Sequence, residues 1–174
     1  MKLIIASDIH GSAYYCRKLV DTVKNEKPDR LVLLGDILYH GPRNDLPRDY
    51  APKEVISMLN PLKDIIICVR GNCDTEVDQM VLDFDVLSDS AVIYDGETEM
   101  FLTHGHKYSP ENPPKIKRGA VLLGGHTHIA TDVFLDGFRY LNPGSVSIPK
   151  GDTVRSCLKY ENGKFAFISL EDEK

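Results

Sequence analysis

Lys2-Leu3-Ile4-Ile5-Ala6-Ser7-Asp8-Ile9-His10-Gly11 is the stretch on which the fold turns. A short apolar run passes directly into Asp-x-His-Gly. Lys2–Ser7 reads as a buried strand. Ser12 then caps a helix through about Asn25, with Leu19, Val20 and Val23 as its apolar side. Arg30–Leu34 reads as a second strand, Pro52 opens a helix through about Leu59, and Asp64–Val69 is a third strand. A β-α-β-α-β order predicts a parallel sheet with right-handed crossovers.

Outward from that core, the pattern changes. Ala91–Tyr94 and Glu99–Thr103 flank Asp95-Gly96, and Thr131–Leu135 and Phe138–Leu141 flank Asp136-Gly137. Val154–Tyr160 and Lys164–Leu170 flank Asn162-Gly163. Each is a hairpin signal. Ala120–Leu123 is one more buried strand. The expected architecture is α/β, two sheets with helices outside, formed by residues 1–174 as one domain. The segment His40–Ala51 and the stretch Pro110–Pro114 read as surface loops.

The chain has 174 residues with 42% hydrophobic and 27% charged side chains, close to the globular average, which excludes a mainly disordered chain. No apolar run approaches the roughly 20 residues that span a bilayer. Leu3–Ala6 is too short for a signal-peptide core and is stopped by Asp8, so a cytoplasmic location is expected. The net charge is −5 and the one short basic run is Lys115–Arg118, so neither duplex nucleic acid nor an anionic membrane is an expected partner. Cys16, Cys68, Cys73 and Cys157 form no C-x-x-C pair, which removes that route to structural zinc.

The six histidines fall in glycine-containing motifs: Asp8-Ile9-His10-Gly11, His40-Gly41, His104-Gly105-His106 and Gly125-His126-Thr127-His128. With Gly35-Asp36 and Gly71-Asn72-Cys73-Asp74, most of them follow an apolar strand. Ligands of α/β sheets bind beyond the carboxyl ends of the strands, so five strands deliver oxygen and nitrogen donors to one edge. In extended chain, residues i and i+2 point the same way, which lets Asp8 and His10 aim at one ion and pairs His126 with His128. Seven donors are too many for one ion and suit two, about 3.5–4 Å apart. None is a thiolate, and Asp36 has two oxygens with which to bridge. His40 and Arg43 are candidate substrate contacts, and Ser145, in Asn142-Pro143-Gly144-Ser145, is a candidate phosphate contact. Beyond Arg43 and Arg70 few basic residues are evident near these motifs.

The ordered set Asp8-x-His10, Gly35-Asp36, Gly71-Asn72, His104 and Gly125-His126-x-His128 resembles the calcineurin-like metallophosphoesterases, from Lys2 to about Pro149. Arg70-Gly71-Asn72-Cys73-Asp74 and Asn142-Pro143-Gly144-Ser145-Val146-Ser147-Ile148-Pro149-Lys150 look like a small phosphodiesterase branch of that family. The resemblance implies a four-layer α/β/β/α sandwich of two mixed sheets and a dinuclear centre with Mn²⁺ favoured; the donors would also accept Zn²⁺, Fe²⁺ or Ni²⁺. It implies that Asp8, His10, Asp36 and His128 hold one ion, and Asp36, Asn72, His104 and His126 the other. It further implies hydrolysis of a small phosphodiester by a hydroxide bridging the ions, and a homo-oligomer.

Two positions depart from the commoner family pattern. Tyr39 stands where many members have an acidic residue, and Cys73 where many have a histidine beside the leaving group. Asn72 and Cys73 are therefore the candidate catalytic side chains, and Asp74 is read as orienting its neighbours rather than as a ligand. The alternatives are a phosphomonoesterase of the same fold and a non-catalytic scaffold like the retromer subunit that resembles this branch. Competent donors at all seven ligand positions favour an enzyme.

Overall fold

The structure, a computed structural model, describes residues 1–172. The first sheet is built on β1 (Lys2–Ala6), β2 (Arg30–Leu33) and β3 (Ile66–Cys68), all parallel. Its other edge is the hairpin β9 (Ser156–Glu161) and β10 (Lys164–Ser169), with β9 antiparallel to β1. The second sheet has the order β4 (Ala91–Asp95), β5 (Thr98–Leu102), β6 (Ala120–Leu123), β8 (Phe138–Asn142) and β7 (Thr131–Leu135). Its two hairpins are antiparallel, whereas β5–β6 and β6–β8 run parallel. Both sheets are thus mixed, as expected.

Alternation along β1 explains its all-apolar sequence. Ile4 and Ala6 face the helices, where Cys16, Leu19, Val20 and Val23 of α1 (Ala13–Glu26) and Val55 and Leu59 of α2 (Pro52–Leu59) cover them. Leu3 and Ile5 face the other way, against Met100, Leu102, Val121, Leu123 and Leu141 of the second sheet. A strand buried on both faces carries no polar alternation. Ser12 caps α1 by accepting from the Tyr15 N–H.

Two details differ from the sequence reading. The third strand begins at Ile66 rather than Asp64, because α2 runs on into a 3-10 turn over Asn60–Ile65 that contains Pro61 and closes with the Ile66 N–H on the Lys63 carbonyl. A short helix, α3 (Glu76–Gln79), was legible as the capping box Thr75-x-x-Asp78 but not read; the Thr75 N–H donates to Asp78 at 2.6 Å. The segment 103–119 crosses the outer face of the second sheet, with Tyr108 edge-on to Phe101 at 5.7 Å. Pro110, Pro113 and Pro114 lack backbone donors and keep this segment from forming a helix.

Candidate metal centre

Five strands end at one place. β1 delivers Asp8 and His10, β2 delivers Asp36, β3 leads to Asn72, β5 to His104, and β6 to His126 and His128. The loops are stitched to one another by their backbones: Asp8 N–H to the Gly35 carbonyl (3.1 Å), His10 N–H to Asp36 (3.0 Å) and Gly125 N–H to His104 (2.6 Å). Asp8, His10, Asp36, His126 and His128 all have φ between 49° and 67°. Side chains other than glycine reach this left-handed region at a cost, and such strain persists where surrounding structure imposes it, commonly at functional sites. Glycines permit the approach of the loops. A Cβ on Gly71 would collide with the Asp36 carboxylate, and one on Gly125 with the Ser7 hydroxyl.

The histidine rings are held from behind. Nδ1 of His10 meets the Tyr39 carbonyl at 2.7 Å, Nδ1 of His104 meets Leu34 at 2.6 Å, and Nδ1 of His128 meets Ile148 at 2.8 Å. A carbonyl only accepts, so each Nδ1 carries a proton and each Nε2, once free of a proton, turns a lone pair toward the site. The Nε2 atoms of His10 and His128 then face each other at 3.2 Å. His104 Nε2 faces Asn72 Oδ1 at 3.1 Å. Paired lone pairs at such distances repel unless a cation or a proton lies between them.

The carboxylates point to the same need. Asp8 Oδ2 accepts from the Ser7 hydroxyl (2.6 Å) and the His126 N–H (3.0 Å). Its other oxygen, Oδ1, is buried without a hydrogen-bond partner, 3.4 Å from His10 Nε2 and 3.2 Å from His128 Nε2. Asp36 accepts from the Cys73 N–H on Oδ1, and its Oδ2 lies 3.7 Å from His10 Nε2 and 3.4 Å from His104 Nε2. Asp36 therefore stands between a group of Asp8, His10 and His128 and a group of Asn72, His104 and His126.

Electrostatics follow the geometry. Burial pushes the Asp8 carboxyl up, but the His10 and His128 rings beside its Oδ1 more than reverse this and hold it well below the usual carboxylate range. Burial opposes the charged form of His104, yet its bond to Asp36 prevails and the ring is pushed up to about 9. Burial lowers His126, with the neighbouring His104 adding to the effect. Two ionised carboxylates among buried imidazoles form a hard oxygen and nitrogen donor set, suited to divalent cations.

The remaining predicted residues separate clearly. Asp74 accepts from the backbone N–H groups of Asp36 (2.8 Å), Ile37 (2.9 Å) and Gly71 (2.7 Å), so its carboxylate clamps the second and third loops from behind. Cys73 is buried, and its Sγ accepts from Asn72 Nδ2 at 3.2 Å. Burial and the adjacent Asp36 push its thiol up to about 12. Arg43 lines a cleft of about 370 Å³ above Asp36, Asn72, His126 and His128. His40 does not line it: its ring packs edge-on between Tyr39 and Tyr50. Ser145 is fully buried, its hydroxyl donating to the Asp8 carbonyl and accepting from the Ile148 N–H, so it braces the first loop and has no face left for phosphate. Arg70 is also turned elsewhere, with Nε on the Asp74 carbonyl and its guanidinium 3.7 Å from Glu76. Lys150 lines the cleft and was missed; its signal was its place at the end of Asn142–Lys150, one residue beyond Pro149.

Comparison with known proteins supplies independent context. The sequence model of the calcineurin-like phosphoesterase superfamily domain matches residues 1–163. The chain is 43% identical over 173 residues to the phosphodiesterase YfcE of Escherichia coli (strain K12), covering 99% of this chain and 94% of that protein. It superimposes on the solved structure of that phosphoesterase with a TM-score of 0.96, covering 100% of this chain and 96% of the other at 42% identity. Vacuolar protein sorting 29 from Cryptosporidium parvum shares the fold, with a TM-score of 0.61 at 18% identity, covering 96% of this chain and 95% of that one.

Proposed function

Because the chain belongs to the calcineurin-like phosphoesterase superfamily, we propose that it is a metal-dependent phosphodiesterase whose centre holds two divalent ions, with Mn²⁺ the favoured metal. Asp8, His10, Asp36 and His128 would hold the first, and Asp36, Asn72, His104 and His126 the second, with Asp36 shared. The observation that carries this reading is the buried, partnerless Asp8 Oδ1 beside two opposed Nε2 lone pairs. Such an arrangement is costly for a protein alone and fits a cation. The sequence likeness to YfcE, named a phosphodiesterase, supports the reaction class.

Bound ions would supply Lewis acidity, lowering the pKa of water from about 15.7 toward about 7 and neutralising charge that develops on phosphoryl oxygens. The chain's own residues do the rest. The carbonyls of Tyr39, Leu34 and Ile148 fix each histidine tautomer, so no ring must reorient before binding. Asn72 offers a neutral oxygen, and its amide is oriented by donation to Cys73 Sγ. The floor of the cleft has no fixed cation: Asp36, Asn72, Cys73, His126 and His128 form it, while Arg43 and Lys150 stand exposed at its rim. A singly charged diester needs less neutralisation there than a monoester dianion. The Cys73 thiol, neutral far above pH 7, supplies no positive charge to a departing oxygen. Leaving groups that depart as stable anions are therefore favoured.

The substrate is read as a small phosphodiester rather than duplex nucleic acid or a membrane, in keeping with the net charge of −5. No helix among the described residues is long and apolar enough to cross a membrane. We also read residues 1–174 as one domain, acting in the cytoplasm as a homo-oligomer.

The test compares kcat/KM for bis(4-nitrophenyl) phosphate and 4-nitrophenyl phosphate on Mn²⁺-loaded protein. The diester should be faster by about tenfold or more, roughly 1.4 kcal/mol in the transition state. A monoester preference of that size would make the protein a phosphomonoesterase. Metal binding without turnover of either would return the scaffold reading.

A further inference from the structure

We infer that the non-reacting arm of the substrate carries a second phosphate group, held at the cleft rim by Lys150 and Arg43. This rests on the phosphodiesterase reading and adds the substrate's class. The cleft has a floor of donor residues that faces the reacting phosphate and an exposed rim that does not. One negative charge on a diester is answered at the floor. Two cations remain at the rim, on an otherwise acidic molecule of net charge −5.

Neither cation is neutralised by a neighbouring carboxylate. Arg70 pairs with Glu76, Lys107 with Asp89 and Arg155 with Glu171, whereas among the described residues Arg43 and Lys150 pair with no carboxylate. Both also have anchored backbones. The Lys150 N–H donates to the His128 carbonyl at 3.0 Å, and its own carbonyl accepts from Thr153 at 2.8 Å. Arg43 sits in a turn closed by Asn44, whose Nδ2 donates to the His40 carbonyl at 2.8 Å and whose N–H donates to Gly41. The two cations therefore start from positions fixed relative to the floor, Lys150 through His128 itself. Unpaired cations bordering a concave site concentrate anions there, and phosphate oxygens accept strong charge-assisted bonds from both side chains. The exposed Tyr39 and Thr75 also line the cleft, whose volume of about 370 Å³ has room for an organic spacer.

Thymidine 5′-(4-nitrophenyl phosphate) and its 3′-phosphorylated form test the inference, because they differ only in the second phosphate. On Mn²⁺-loaded protein, kcat/KM for the 3′-phosphorylated diester should exceed that for the other by about tenfold, mainly through KM. Lys150→Ala and Arg43→Ala should each cut the ratio, the double variant should bring it near one, and Lys150→Arg should retain it. A ratio is insensitive to partial loss of folded or loaded protein. Calorimetry gives a readout without turnover: thymidine 3′,5′-bisphosphate should bind more tightly than thymidine 5′-phosphate, and Lys150→Ala should erase the difference. Turnover of both diesters at equal kcat/KM overturns the inference and leaves the phosphodiesterase reading standing. If neither diester is turned over, the phosphodiesterase reading fails, and equal affinity for the two nucleotides would then overturn the inference as well.

Discussion

The two halves of the donor cluster are built differently. Asp8, His10 and His128 are 0%, 1% and 3% exposed, and both rings are pinned through Nδ1. On the other side of Asp36, His104 is as buried and as firmly pinned, but Asn72 is exposed and His126 only half-buried, and both line the cleft alongside the buried His128. A closed half with two ionisable oxygens nearby binds strongly and exchanges slowly. An open half with a neutral amide ligand binds less strongly and leaves space for substrate. The difference teaches that, in the proposed two-ion centre, one ion would be retained and the other would work against the substrate.

Removing the shared ligand should do most damage. Asp36→Ala should leave less than one Mn²⁺ per chain and reduce turnover by roughly a thousandfold or more, since catalysis by paired ions is lost. The halves then separate. Asp8→Asn should abolish the tight ion, whereas Asn72→Ala should keep about one tight ion while losing roughly a hundredfold in kcat. Elemental analysis together with steady-state kinetics checks each. Equal metal loss in Asp8→Asn and Asn72→Ala would erase the proposed asymmetry.

Acidity sharpens the comparison further. In the metal-free protein His104 is held up to about 9, so below that pH an ion must displace its proton. The apparent Mn²⁺ affinity of the half containing His104 should therefore climb as pH rises from 6 toward about 9 and level off above it, with proton release near neutral pH. Calorimetry in buffers of different ionisation enthalpy counts those protons. A flat affinity over that window would contradict the protonated starting state.

A smaller effect is expected at Cys73. Cys73→His restores an imidazole that titrates near 6.5 beside the leaving group. It should improve alkyl or nucleoside leaving groups over aryl ones by several-fold, on the order of what a positioned proton donor gives when the leaving group is poor. The substitution adds volume where the Sγ already lies close to Gly41, so metal content must be measured alongside. Equal change in both leaving-group classes, with both ions retained, would reduce Cys73 to a packing role.

The i and i+2 pairs, which supply the closed half and His126 of the open one, were the most legible in sequence. Asp8-x-His10 and His126-x-His128 sit directly beyond all-apolar strands, and their spacing announces a shared target. The resemblance also proposed Asn72 and His104, which the structure brings together at 3.1 Å. What could not be read was the use of each polar group in three dimensions. Ser145, His40 and Arg70 look like substrate contacts in one dimension, but a carbonyl, two tyrosine rings and Glu76 occupy them. Lys150 looks like the end of a turn, and only the fold of Asn142–Lys150 back onto His128 brings it to the cleft.

The central claim is two unlike ions around one shared carboxylate, and a Mn²⁺ titration of the metal-free protein followed by calorimetry and by turnover of bis(4-nitrophenyl) phosphate tests it most directly. The account predicts two binding steps, a tight one that leaves the protein nearly inactive and a weaker one over which activity rises to its maximum at about two ions per chain. Full activity after the first equivalent, with no second ion bound, would contradict it.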